Sequence, residues 1–102
     1  MNNNEFERKI INDMSLNLID EHEGRQILRL LSYFEGVSLY QYNEEIQLNE
    51  FLPSLADDEL QYLIDAIDYK LFRINALGQK ESIGDFEALN KICDFHGVLI
   101  QI

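Results

Sequence analysis

"LADDELQYLIDAIDYKLFR", residues 55–73, is the most strongly patterned stretch of this chain. Leu60, Leu63, Ile64, Ile67, Leu71 and Ile74 recur at intervals of three and four, the spacing of one helical face. Ser54 and Asp57 stand three apart at its start, a capping-box-like pair, and Pro53 closes what precedes. Gly78 follows the last apolar position and suits a terminator. The pattern predicts one long helix with its aliphatic stripe turned to a core. Asp58, Gln61, Asp65 and Asp68 then face outward, and Tyr62 and Tyr69 sit two turns apart along one edge of that face.

On the N-terminal side of this helix, residues 37–42, "VSLYQY", alternate and are rich in β-branched and aromatic residues, which predicts a strand. Residues 45–52, "EIQLNEFL", read two ways. Ile46 and Leu48 alternate, as a hairpin partner joined through "YNEE" would. Ile46, Asn49, Glu50 and Pro53 equally suit one short helix. The hairpin is the preferred reading, with a strand near 45–50. Upstream, Asp20 opens a helix whose first turn holds Asp20, Glu21 and Glu23, where the helix dipole favours negative charge. Ile27, Leu28, Leu31 and Phe34 form its stripe and Gly36 ends it, while Gly24 weakens its start by up to ~1 kcal/mol relative to Ala. A first helix over Asn4–Met14 places Phe6, Ile10, Ile11 and Met14 at helical spacing, and one of the asparagines could cap it.

On the C-terminal side, "GQKES" (residues 78–82) reads as a polar linker. A helix over Asp85–Phe95 follows, with Phe86, Leu89, Ile92 and Cys93 on its stripe and Gly97 closing it. "VLIQI" (98–102) is a short strand. The expected fold is α+β: a helix-dominated small single domain over residues 1–102, about four helices with a small antiparallel sheet, strands near 37–42, 45–50 and 98–102.

The chain of 102 residues is 46% hydrophobic, enough to bury a core; a domain of this size hides a little over ~60% of the surface its unfolded chain exposes. Its one cysteine cannot form an internal disulfide. The opening residues, "MNNNEFERKI", lack the apolar run of a leader, and the longest uninterrupted apolar run there is "VLI". These features predict a soluble, cytoplasmic protein that does not enter a membrane.

No catalytic, cofactor-binding or metal-ligating constellation is expected. "HEGRQ", from His22, begins like H-E-x-x-H, but Gln26 stands where the second histidine belongs. Cys93 and His96 are three apart, yet a structural zinc site needs four ligands and no second pair exists. Cys93 lies on an apolar stripe, where a free cysteine behaves as a small hydrophobe. Glycine-rich phosphate loops and the nucleophile-elbow motif are absent. Asp57, Asp58 and Glu59 are consecutive, so on a helix they point in different directions and cannot converge on one ion.

Charge is the feature with most to say. Eight bases against nineteen acids give a net charge of −11. Such a chain is repelled by phosphate backbones and anionic lipid surfaces, and a basic protein partner is favoured. The acids are also segregated. Between Arg29 and Lys70 there is no base, and that stretch holds Glu35, Glu44, Glu45, Glu50, Asp57, Asp58, Glu59, Asp65 and Asp68. Interspersed signs would serve solubility as well. The expected partner-binding surface comprises Tyr40, Tyr42, Glu44, Glu45, Asp58, Tyr62, Asp65, Asp68 and Tyr69. The expected role is that of an inhibitor covering the basic surface of a nuclease or other nucleic-acid-processing protein, in an immunity-type or phage-type setting. The alternative is a self-assembling subunit, a homodimer through the C-terminal strand, whose acidity is incidental.

Overall fold

Asp20, expected within the first turn of the second helix, is instead its N-cap, its carboxylate accepting the Glu23 backbone N–H at 3.2 Å. The computed structural model describes residues 3–101. The asparagine cap expected for the first helix and the last residue of the C-terminal strand lie outside the described residues. The elements are α1 (Asn3–Ser15), α2 (Glu21–Tyr33), β1 (Ser38–Gln41), β2 (Glu44–Ile46), a one-turn α3 (Leu48–Phe51) running into a 3-10 turn (Leu52–Ser54), α4 (Asp57–Ile67), β3 (Phe72–Ile74), β4 (Lys80–Ser82), α5 (Asp85–Phe95) and β5 (Leu99–Gln101). The α+β class, dominated by helix, stands.

The stripes read from the sequence build one contiguous core. Leu30 and Leu31 of α2 with Phe34 at its C-cap, Leu39 of β1, Leu52 of the 3-10 turn, Leu60 and Leu63 of α4, and Leu89 and Cys93 of α5 are fully buried within it. A leucine hidden this completely contributes about 2 kcal/mol of transfer free energy. Side-chain pairs fix the helix directions. Gln26 meets Gln61, and Arg29 meets Asp68, so α2 and α4 run parallel. Glu59 meets His96, and Lys91 lies over Tyr62, so α4 and α5 run antiparallel. Gly24 is where α1 crosses α2: a Cβ there would lie 2.6 Å from the Met14 sulfur, so an added methyl must push the methionine side chain aside.

One sheet has the order β2-β1-β5, antiparallel throughout, with Leu39 opposite Ile46 and Ile100. Leu39 faces the core, so Tyr40 stands on the other side of the sheet, flanked by Glu45 and Leu99. Tyr42 and Asn43 form the two-residue turn of the β1–β2 hairpin, at φ 54° and 65°, the backbone of a type I′ turn.

Four local expectations are corrected. The strand proposed for 45–50 holds only over Glu44–Ile46; Leu48–Phe51 is helical, burying Leu48 and Phe51 on one side, so each of the two readings describes half the segment. The cap of α4 is not Ser54 with Asp57. The Glu59 carboxylate instead reaches back to the Ala56 N–H at 3.0 Å, and the Ser54 hydroxyl donates to the Phe51 carbonyl. The long helix does not reach Ile74. It ends at Ile67, where Lys70 N–H bonds the Asp65 carbonyl and Tyr69 takes φ 58° at the position that usually carries glycine. Residues 72–74 are instead β3, and the "GQKES" linker contains β4, paired with it so that Ile74 faces Lys80 and Phe72 faces Ser82.

Candidate functional site

Because α2 and α4 are parallel neighbours, their N-termini lie side by side. Each first turn is acidic: Glu21 and Glu23 behind the Asp20 cap in α2, and Asp57, Asp58 and Glu59 in α4. Successive residues of a helix turn by 100°, so the three acids of α4 diverge. The charge of Asp57 acts on Glu23, Asp58 lines the groove toward α5, and Glu59 meets His96. Burial raises the Glu23 pKa, and the charges of Asp57 and then Asp20 add to the effect. Two helix N-termini, each equivalent to about half a positive charge, offset part of this crowding.

Some of these carboxylates are already engaged. Glu21 pairs with Arg25 one turn on, at 2.5 Å. Burial pushes the Glu59 pKa up, but the Ala56 N–H bond and the His96 contact outweigh it and hold it below the ordinary value. Asp20, Glu23, Asp57 and Asp58 have no ion-pair partner among the described residues.

The residues singled out from the sequence fall into two groups. Gln41 donates to the His96 carbonyl at 3.2 Å, and His96 contacts Glu59 at 2.7 Å. The β1–β2 hairpin, with Tyr40, Tyr42, Glu44 and Glu45, is thereby fastened to the end of the molecule that carries Asp58. Tyr42 is 91% exposed at the hairpin tip. Asp68 and Tyr69 are at the other end of α4, roughly 16 Å away for a helix of this length. Asp68 is held by both terminal nitrogens of Arg29, whose hydrogen bond is the main cause of its lowered pKa. Asp65 accepts from Gln61 at 2.9 Å, and Gln61 in turn accepts from Gln26 of α2 at 2.7 Å. The flank formed by Gln61, Asp65 and Asp68 therefore packs on α2 instead of facing freely outward. Tyr62 is half-buried with the Lys91 ammonium 5.6 Å from its ring centre.

Other acids of the base-free stretch lie apart from both groups. Glu50 borders a hollow with Lys9 of α1, and Glu35 borders another beside Val37 and Ile46. The sequence missed the contribution of Asp20, Glu21 and Glu23. Their role as first-turn acids was readable; that α2 would stand parallel to α4 was not.

Between the start of α4 and the end of α5 runs an open groove of about 740 Å³, with Ala56, Ile92 and Phe95 on its apolar part and Asp58, Glu59 and Asp94 at its edge with Lys91. Cys93 lies beneath, fully buried; burial first, and the Asp94 charge second, push its thiol up to about 11. His96 is committed to Glu59, so the thiol has no activating imidazole. Among the described residues no three His, Cys, Asp or Glu side chains gather to hold a metal ion, and no helix is long and apolar enough to cross a membrane. The chain matches no protein-family model, no curated protein and no solved structure.

Proposed function

We propose that this chain is a non-catalytic, cytoplasmic binding domain that docks its acidic end on a basic surface of a partner protein and so occludes it. One observation carries the reading: the first turns of α2 and α4 stand together, and Asp20, Glu23, Asp57 and Asp58 have no ion-pair partner among the described residues. Like charges packed at one end oppose folding, and a cationic partner relieves that repulsion when it binds. Tyr42 at the hairpin tip supplies an exposed aromatic beside the charge, a residue type enriched where interfaces bind most strongly. A surface built this way fits a groove that otherwise receives nucleic-acid phosphates. The partner is then a nuclease or another nucleic-acid-processing protein, in an immunity-type or a phage-type setting.

Affinity capture from the cells of origin tests this, run side by side with wild type and with Asp57→Lys/Asp58→Lys. Both positions are exposed, so the variant keeps its fold. The reading requires a basic protein retained by wild type and lost by the variant. Equal recovery from both rejects it.

A second reading rests on β5, which forms one edge of its sheet with Leu99 68% exposed. An unpaired strand edge of this kind supports a homodimer through the C-terminal strand.

A further inference from the structure

The β3–β4 hairpin is built unlike the rest of the chain. All six of its strand residues are exposed, whereas β1 contributes a fully buried leucine to the core. Its base is fastened where Ile83 N–H bonds the Leu71 carbonyl at 2.9 Å and both side chains pack on the core. One face of the hairpin turns to α5, through Arg73 bound to Glu81 and Glu87. The opposite face carries Phe72 and Ile74, 47% and 70% exposed, with Leu77 at 81% in the connecting loop. That loop is ordered by its own hydrogen bonds: the Asn75 side chain accepts from the Leu77 and Gln79 N–H groups, and Gly78 at φ 75° completes the turn. A two-stranded hairpin alone is marginal in water, and one that keeps three large apolar side chains in solvent is a surface in need of a cover.

Charge points to what covers it. Residues 69–80 contain Lys70, Arg73 and Lys80 and no acid, in a chain of net charge −11. Lys80 lies over the Phe72 ring at 4.1 Å, so the apolar face has a positive edge. The complement is present in the molecule itself. The groove between α4 and α5 is apolar at Ala56, Ile92 and Phe95 and edged by Asp58 and Asp94. Phe95 is 82% exposed there. The groove sits where α4 begins and α5 ends; the hairpin leaves from where α4 ends and α5 begins. The two are thus at opposite ends of an antiparallel helix pair, roughly 16 Å apart, so the hairpin does not reach its own groove. Two copies laid side by side in opposite directions bring each hairpin to the other's groove, twice over, about one two-fold axis.

We propose that this chain forms an antiparallel, two-fold homodimer in which the β3–β4 hairpin of each copy lies in the α4–α5 groove of the other, Ile74 and Leu77 against Ile92 and Phe95, and Lys80 beside Asp58 and Asp94. The hairpin is a locally positive segment whose apolar face is exposed, which is why it approaches a second acidic copy. This contact differs from pairing through β5; it occupies Asp58, which the partner reading also uses, but its test by sedimentation needs no partner.

Sedimentation of the full chain up to about 100 µM, a range that detects weak interfaces, tests the proposal. Wild type should sediment at twice the 12.0 kDa chain mass. Ile74→Asp/Leu77→Asp and Phe95→Asp should each be monomeric with unchanged circular dichroism, because all three positions are exposed. An equimolar mixture of the two variants should dimerise again, about tenfold or more weaker than wild type, because one intact hairpin–groove contact is then available. A monomeric wild type, a dimer that survives either variant, variants that fail to restore each other, or a dimer lost on Leu99→Lys while the hairpin variants keep it, each overturns the proposal.

Discussion

The His96 ring, at the C-terminal cap of α5, stands with Nε2 2.7 Å from Oε2 of Glu59 in the first turn of α4. The same carboxylate caps α4 through the Ala56 N–H at 3.0 Å. Glu59 thus joins two helix ends, and the Gln41 contact to the His96 carbonyl extends the link to the sheet. Because its pKa is lowered in the folded state, Glu59 contributes stability that is present above the ordinary value of 4.5 and is lost as pH falls through the folded value. Glu59→Gln should cost about 1–2 kcal/mol at pH 7, and the difference from wild type should shrink as the pH drops below 4.5. Urea unfolding at several pH values measures both.

Glu23 should behave with the opposite sign. Its pKa is raised, by burial first and then by Asp57 and Asp20, so its ionisation costs stability as pH rises through 4.5 and beyond. Glu23→Gln is expected to stabilise the protein at neutral pH by about 0.3–0.5 kcal/mol, the scale of a like-charge contact on a helix. The gain should fade as added salt screens the acids. Thermal unfolding at low and high salt reads it directly.

Tyr69 occupies a left-handed position at the end of α4, at φ 58°. A side chain in that conformation costs about 1 kcal/mol relative to glycine. Tyr69→Gly should therefore raise stability by up to about 1 kcal/mol, measured as a shift of the urea midpoint at constant slope. Tyr42 at φ 54° in the hairpin turn should respond the same way. If Tyr42 serves the interface proposed above, the stabilised Tyr42→Gly variant will bind its partner less well.

The Cys93 thiol, buried and pushed up to about 11, should be inert toward a disulfide reagent at pH 8 until the chain unfolds. Its labelling rate should track the global unfolding equilibrium across a denaturant series. Fast labelling of the native chain would show that the α4–α5 groove opens to the core.

The amphipathic helices, β1 and β5 were legible because their signals are local periods; the hairpin expected through "YNEE" turns at Tyr42 and Asn43, one residue inside the expected strand. The end of α4 was not. Leu71 and Ile74 continue the three-and-four spacing from Ile67, although in the fold Leu71 packs on the core and Ile74 is exposed on β3. The decisive event is Tyr69 turning left-handed, and no glycine marked it. Gly78, which suits a helix terminator by its place in the sequence, serves as the left-handed residue of the β3–β4 turn. The acidic surface was legible in part. Asp58 and the hairpin residues share one end of the molecule, but Asp68 is held by Arg29, and Asp20 and Glu23 join from a segment far away in sequence. That pairing depends on α2 and α4 being parallel, a tertiary fact that no local pattern encodes.

The most direct test of the acidic-end reading is the association rate between this chain and the basic protein it captures, followed against ionic strength. An interface steered by Asp20, Glu23, Asp57 and Asp58 predicts a rate that falls about tenfold or more as salt rises from low to physiological and beyond, and a far shallower dependence for Asp57→Lys/Asp58→Lys. A rate indifferent to salt, or an identical slope for wild type and variant, would contradict it.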